Sequence, residues 1–224
     1  MNKFKFFSFL VFCIISSCSN DENTAKTPDI MGELNLTKLT VDGNIPIKTK
    51  ILNIENEYKK YTLEGTGKNF NASAIFQKSP NKLNFNGSFD TEIKINDGTD
   101  NINEVIPITN ISNESDYYFN TSGDKLVVSN GIFLENIVIS LLPEEIPDSI
   151  KNQIELGEII MDVISLTDDS IFLETNIKQK IEEPLSSFSE ILDNLTDLNI
   201  PQNVIDNSTL IIDIDTKFYF ELTR

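Results

Sequence analysis

Carboxylates are the most abundant reactive groups in this chain of 224 residues: 35 Asp and Glu stand against 18 Lys and Arg, and there is no His. Two carboxylates can share hydrolytic work, one as the acid and the other as base or nucleophile. Asp90 and Glu92, like Asp213 and Asp215, have the spacing that puts both members of a pair on one face of a strand. That face is the polar one in both segments, where the ordinary role of a carboxylate is to be solvated. A carboxylate-dependent hydrolase is therefore the weakest of three functional readings. Asn96-Asp97-Gly98-Thr99-Asp100-Asn101 offers oxygen ligands at short spacing for a hard cation such as Ca²⁺. It lacks the EF-hand order and its terminal Glu, so it reads as a hairpin loop. Gly65-Thr66-Gly67-Lys68 resembles a fragment of a phosphate loop, but it is flanked by strand patterns where a helix should follow, so it reads as a turn.

The composition narrows the chemistry further. Without His there is no Ser-His-Asp triad, no imidazole metal ligand and no near-neutral imidazole switch. Two cysteines are too few for a thiolate zinc site. A net charge of −17 repels a phosphate backbone, so no nucleic-acid partner is expected. The expectation is a non-enzyme with no catalytic residue, no metal and no cofactor.

The one covalent site the sequence points to is Cys18. Lys3 and Lys5 precede the apolar run Phe6–Ile15, which is about ten residues long, the size of a signal-peptide core and half that of a membrane-spanning helix. The run ends in Ile15-Ser16-Ser17-Cys18, which resembles a bacterial lipobox: an aliphatic residue, two small ones, then the cysteine that receives diacylglycerol. The resemblance implies a signal peptide over residues 1–17 and a membrane anchor at Cys18. Fatty-acyl chains there gain about 0.8 kcal/mol per buried CH₂. Ser19-Asn20-Asp21-Glu22-Asn23 resembles the acidic export signal of surface lipoproteins of Bacteroidetes. It implies an outer-membrane, cell-surface location, with a periplasm-facing one as the alternative. Residues 18–28 are polar and without periodicity, and read as a tether.

From residue 29 to 224 the chain reads as one all-β domain. Leu83, Phe85, Gly87, Phe89, Thr91, Ile93 and Ile95 alternate with polar residues without a slip through Lys82–Asn96, and Gly87 marks a bend. Phe70, Ala72, Ala74 and Phe76 alternate just upstream, and Ser79-Pro80-Asn81 joins the two segments as a hairpin. Leu210 to Leu222 and Ile171 to Ile181 repeat the pattern, the latter opened by the turn Asp168-Asp169-Ser170 and paired with Glu158–Leu166. Further strands are expected at Leu34–Val41, Ile45–Ile54, Lys59–Gly65, Val105–Thr109, Tyr117–Phe119, Lys125–Ser129 and Ile132–Leu142. Asp42-Gly43 and Ser122-Gly123-Asp124 read as turns. Ser187–Asn199 has helical spacing at Phe188, Ile191, Leu192, Leu195 and Leu198, with Ser187…Glu190 as a capping box. Pro147–Leu156 reads as a shorter helix.

Successive antiparallel strands with few helices predict a meander of about 8–10 strands that closes on itself. Ile30-Met31-Gly32-Glu33-Leu34, Gly65-Thr66-Gly67-Lys68-Asn69-Phe70, Gly87-Ser88-Phe89 and Gly123-Asp124-Lys125-Leu126-Val127-Val128 are similar to segments of lipocalin-like lipoproteins of Bacteroidetes, with Leu34 at the position of a characteristic Trp. The resemblance implies a lipocalin-like barrel and an interior site for a small apolar molecule. Phe70, Phe76, Phe85, Phe89, Phe218 and Phe220 fall on the expected inner face and are the candidate ligand-binding residues, although rings in strands more commonly fill a core. The leading reading is a lipid-anchored β-barrel lipoprotein that binds such a molecule. The rival is a non-enzymatic interaction or accessory module of a surface nutrient-capture or assembly complex.

Overall fold

Period-two patterning becomes a closed barrel of eight antiparallel strands. The computed structural model describes residues 30–143, 146–187 and 201–224. The strands are β1 (Gly32–Ile51), β2 (Ile54–Gln77), β3 (Lys82–Asn96), β4 (Asn101–Phe119), β5 (Lys125–Val128), β6 (Ile159–Leu166), β7 (Ser170–Pro184) and β8 (Thr209–Thr223). Each pairs with its neighbours in chain order, and β8 returns to β1, so the meander has no free end. Among the described residues three helices interrupt it: α1 (Ile132–Leu141), α2 (Asp148–Lys151) and α3 (Gln202–Ile205). The expected signal segment, Cys18, the tether and residues 188–199 of the expected longer helix lie outside the described residues; Ser187 ends a short 3₁₀ turn begun at Leu185.

The alternation holds where it was clearest. Leu83, Phe85, Phe89, Thr91, Ile93 and Ile95 of β3 are buried, as are all the even-numbered residues from Leu210 to Leu222 in β8. Several expected turns are instead strand interior. Asp42-Gly43 lies within β1, paired to Glu64 and Leu63 on one side and to Lys217 and Thr216 on the other. Gly43 is needed for close approach: a Cβ there would sit 2.8 Å from Thr216 Oγ1. Gly65 to Lys68 likewise lie within β2, where a Cβ on Gly67 would meet the Phe70 ring at 2.5 Å. Glycine inside a strand marks such approaches as readily as a turn. The actual turn after β1 is Leu52-Asn53, with both residues at positive φ (50° and 64°), a tight hairpin that Leu does not signal.

The segment expected as a strand at Ile132–Leu142 is α1. A strand would bring either Glu135 or Asn136 to the buried side. The helix gathers Phe133, Leu134, Ile137, Val138 and Leu141 on one face and leaves Glu135, Asn136 and Ser140 on the other. Its four β-branched residues cost up to about 0.7 kcal/mol each in helix propensity, whereas each buried side chain gains about 1.5–3 kcal/mol. Burial decides. The helix begins at Gly131, whose N–H donates to the carbonyls of Leu156 and Gly157, and Glu135 accepts from Leu156 N–H at 3.0 Å.

α1 fills a place that strands leave empty. β5 has four residues, pairs with β4 only at Tyr117–Phe119, and pairs with β6 only at Ile159–Asp162. Beyond that level no strand among the described residues lies between β4 and β7, and the segment carrying α1 and α2 bridges the opening. α1 packs on β4, and Gln179 Nε2 on β7 donates to the Gln153 carbonyl just after α2, at 3.1 Å. The expected helix over Pro147–Leu156 is the shorter α2.

Candidate functional site

The aromatic residues expected to line a ligand chamber are brought together, but five of the six are fully enclosed. Phe76, Phe85, Phe89, Phe218 and Phe220 are each at most 3 % exposed. The ring of Phe133, carried inward by α1, stacks on Phe85 with centroids 5.0 Å apart and meets Phe220 edge-on at 6.4 Å. Phe218 stacks on Phe220 at 6.1 Å, and Phe76 meets Tyr117 edge-on at 5.3 Å. These are distances of direct ring contact. Phe133 thus packs among the inward-facing rings of β3 and β8. Sequence reading missed Phe133, and the signal that could have found it was the helical rather than alternating placement of polar residues in 132–141.

Phe70 is the exception. It is half-buried, its ring 5.9 Å from that of Phe89, and it lies where the barrel wall parts. The β1–β2 ladder runs to Asn35↔Ser73 and resumes only at Thr40↔Thr66. The β2–β3 ladder skips between Lys68 and Asn71, and β3–β4 shifts between Gly87 and Phe89. Gly87 has φ +130°, and a Cβ on it would overlap the Asn71 carbonyl and the Ala72 Cα. The parted wall forms a cleft of about 720 Å³ lined by Glu33, Asn35, Thr37, Phe70, Asn71, Ser73 and Asn86.

A second cleft, of about 540 Å³, lies between β4 and the end of α1. Tyr61, Ile95, Ile106, Ser140 and Leu142 contribute to it.

The carboxylate pairs are spread over the outer wall and occupied. Asp213 is paired with Lys48 at 2.5 Å, Asp215 with Lys178 at 3.3 Å, and Glu92 with Lys68, while Asp90 accepts from Asn69 Nδ2 at 2.7 Å. Asp213 and Asp215 share an outer cleft of about 680 Å³ with Lys48 and Lys178, and each carboxylate is paired there with one of those ammonium groups. The loop considered for Ca²⁺ is closed on itself. Asp97 accepts from the N–H groups of Thr99 and Asp100 and from the Thr99 hydroxyl, and pairs with Lys59 at 3.2 Å. The backbone donors, first that of Asp100, hold the Asp97 carboxyl well below the usual carboxylate range. Lys59 is held above the ordinary lysine value, chiefly by Tyr61, over whose ring its ammonium lies at 4.7 Å. No group of three or more metal-ligating side chains occurs among the described residues. Comparison with protein-family models, with characterised proteins and with solved structures gave no match.

Proposed function

We propose that this chain is a lipid-anchored cell-envelope protein, held by acyl chains on Cys18, whose barrel is a packed, non-enzymatic scaffold acting through its outer surface. The observation that carries this reading is Phe133 stacked on Phe85 inside the barrel. About eight strands enclose room for packed side chains or for one small ligand, not both. Here side chains take the room. The lipobox-like residues Ile15 to Cys18 support the anchor, and the acidic run after Cys18 supports a place at the cell surface in preference to a periplasm-facing one. Residues 19–29 can span at most about 40 Å, enough to stand the barrel off a bilayer without removing it from the surface layer. A surface-assembly or nutrient-capture complex is the setting such a scaffold suits.

The test is native mass spectrometry of the detergent-solubilised full chain. The expected mass is polypeptide plus acyl groups. A further small molecule that stays bound in the gas phase and leaves on denaturation overturns the packed-barrel reading. A second reading, a small apolar ligand, has a place at the cleft between β4 and α1, where Ile95, Ile106 and Leu142 supply apolar walls and Ser140 a hydroxyl. A ligand there is lost on Ile106→Asp and leaves Phe85→Ala neutral for binding.

A further inference from the structure

From the parted wall beside Phe70 we infer a binding site for a neutral saccharide. The inference rests on the reading that the protein acts through its outer surface. Outward-facing Asn35, Ser73, Asn86 and Ser112 stand directly opposite one another across β1, β2, β3 and β4, a four-strand row of uncharged hydrogen-bonding side chains. Asn71 and Ser88 extend it as the next outward pair on β2 and β3. In a chain with 35 acidic residues and net charge −17, a row free of charge is a local departure. The amides of Asn35, Asn71 and Asn86 have no hydrogen-bond partner among the described residues. Ser73 donates to Glu33 at 2.7 Å, and that carboxylate is the one charge lining the cleft.

Amides and hydroxyls both donate and accept, as sugar hydroxyls do, so they satisfy such a ligand without demanding a charge from it. The half-buried Phe70 ring gives a flat apolar surface at the cleft edge, against which the C–H face of a pyranose ring can rest. The backbone contributes too: residues 36–39 of β1 and 67–72 of β2 have no ladder partners toward each other. A volume of about 720 Å³ is within the range of small-ligand sites. Glu33 and the surrounding acidic field select against anionic sugars.

The test is isothermal titration of the full chain, in a detergent without a sugar headgroup, against maltohexaose, cellohexaose, xylohexaose, mannohexaose and the anionic oligogalacturonate. At least one neutral member is expected to bind, with affinity insensitive to added salt. Phe70→Leu, which keeps apolar bulk and removes the ring face, is expected to weaken it by about tenfold, as is Asn86→Ala on the wet face. Phe70→Tyr should retain it. No binding across the panel, equal affinity in Phe70→Leu and Asn86→Ala, or preferential binding of oligogalacturonate each overturns the assignment. Such a failure leaves the packed barrel standing, because that reading is decided separately by the native mass.

Discussion

Replacing Phe85 with alanine removes a ring that is 3 % exposed and stacked at 5.0 Å on the Phe133 ring of α1. In a filled barrel the neighbours cannot collapse onto the gap, so the cost is about 3–5 kcal/mol, the range for truncating large buried aromatics. At a denaturant slope of about 2 kcal/mol/M, the urea midpoint should fall by roughly 1.5–2.5 M with the slope unchanged. Asn86→Ala is the internal control, one residue away on the opposite face, half-buried and without a hydrogen-bond partner among the described residues, with an expected effect within about 0.5 kcal/mol. The ring pair itself is isolated by a double-mutant cycle with Phe133→Ala, whose coupling should be about 0.5–1.5 kcal/mol. A Phe85 effect below about 1 kcal/mol would mean that the ring borders a void. Zero coupling would mean that α1 does not fill the barrel. Either result refutes the argument that side chains have taken the place of cargo.

Gly87→Ala should cost at least about 2 kcal/mol by urea titration, since both the φ of +130° and overlap with the Asn71 carbonyl oppose a Cβ. Gly98→Ala, at φ +91° with open space around it, should show the smaller cost of backbone strain alone. Asp97 has a lowered pKa in the folded chain, so its contribution is complete above the ordinary Asp value near about 4 and is lost as pH falls below it. Asp97→Ala should therefore flatten the acid limb of the stability–pH curve measured by urea titration. Cys18→Ala should abolish acyl mass and move the chain to the aqueous phase on detergent partitioning; retention of both would refute the anchor.

The barrel was legible in the sequence wherever one face is dry and the other wet along a whole strand, as in Lys82–Asn96 and Leu210–Leu222. There the period of two leaves no alternative burial. It misled where a second constraint acts on the same residue. Gly43 and Gly67 are local turn signals, yet a neighbouring strand or side chain approaches too closely for a Cβ, and that approach is a fact of tertiary structure. Leu52 is the converse, a turn residue at positive φ with no local preference for it, imposed by the pairing on both sides. In α1, isoleucine and valine favour a strand, and only the barrel's unfilled interior makes the helix pay. The candidate site was half legible. Alternation grouped five of the six aromatics on the buried side and misplaced Phe70, which lies in the parted wall; whether the five line a chamber depends on Phe133, some fifty residues away in sequence from Phe85. The Asn and Ser row was visible only as a wet face, because its members come from four strands and acquire meaning when the register aligns them.

Two openings in the wall have opposite fates, and the contrast argues for where function lies. Between β4 and β7 the short β5 and β6 leave a gap, and α1 closes it with five buried side chains. Near β1 and β2 the strands part as well, yet only Phe70 crosses the opening, laid over Gly67 and half in water. Closing an eight-stranded barrel requires bends, and bulges with glycines supply them at Lys68/Asn71 and at Gly87/Phe89. Curvature alone accounts for the bends but not for the residues around them. A wall needing only to turn could cover its surface with ion pairs, as the outer surface does at Lys48–Asp213 and Lys178–Asp215. Instead the lining is mostly amide and hydroxyl, with three amides unpaired among the described residues, beside an aromatic ring and one carboxylate. The opening that helps close the barrel is thus also the part of its surface prepared to hold something.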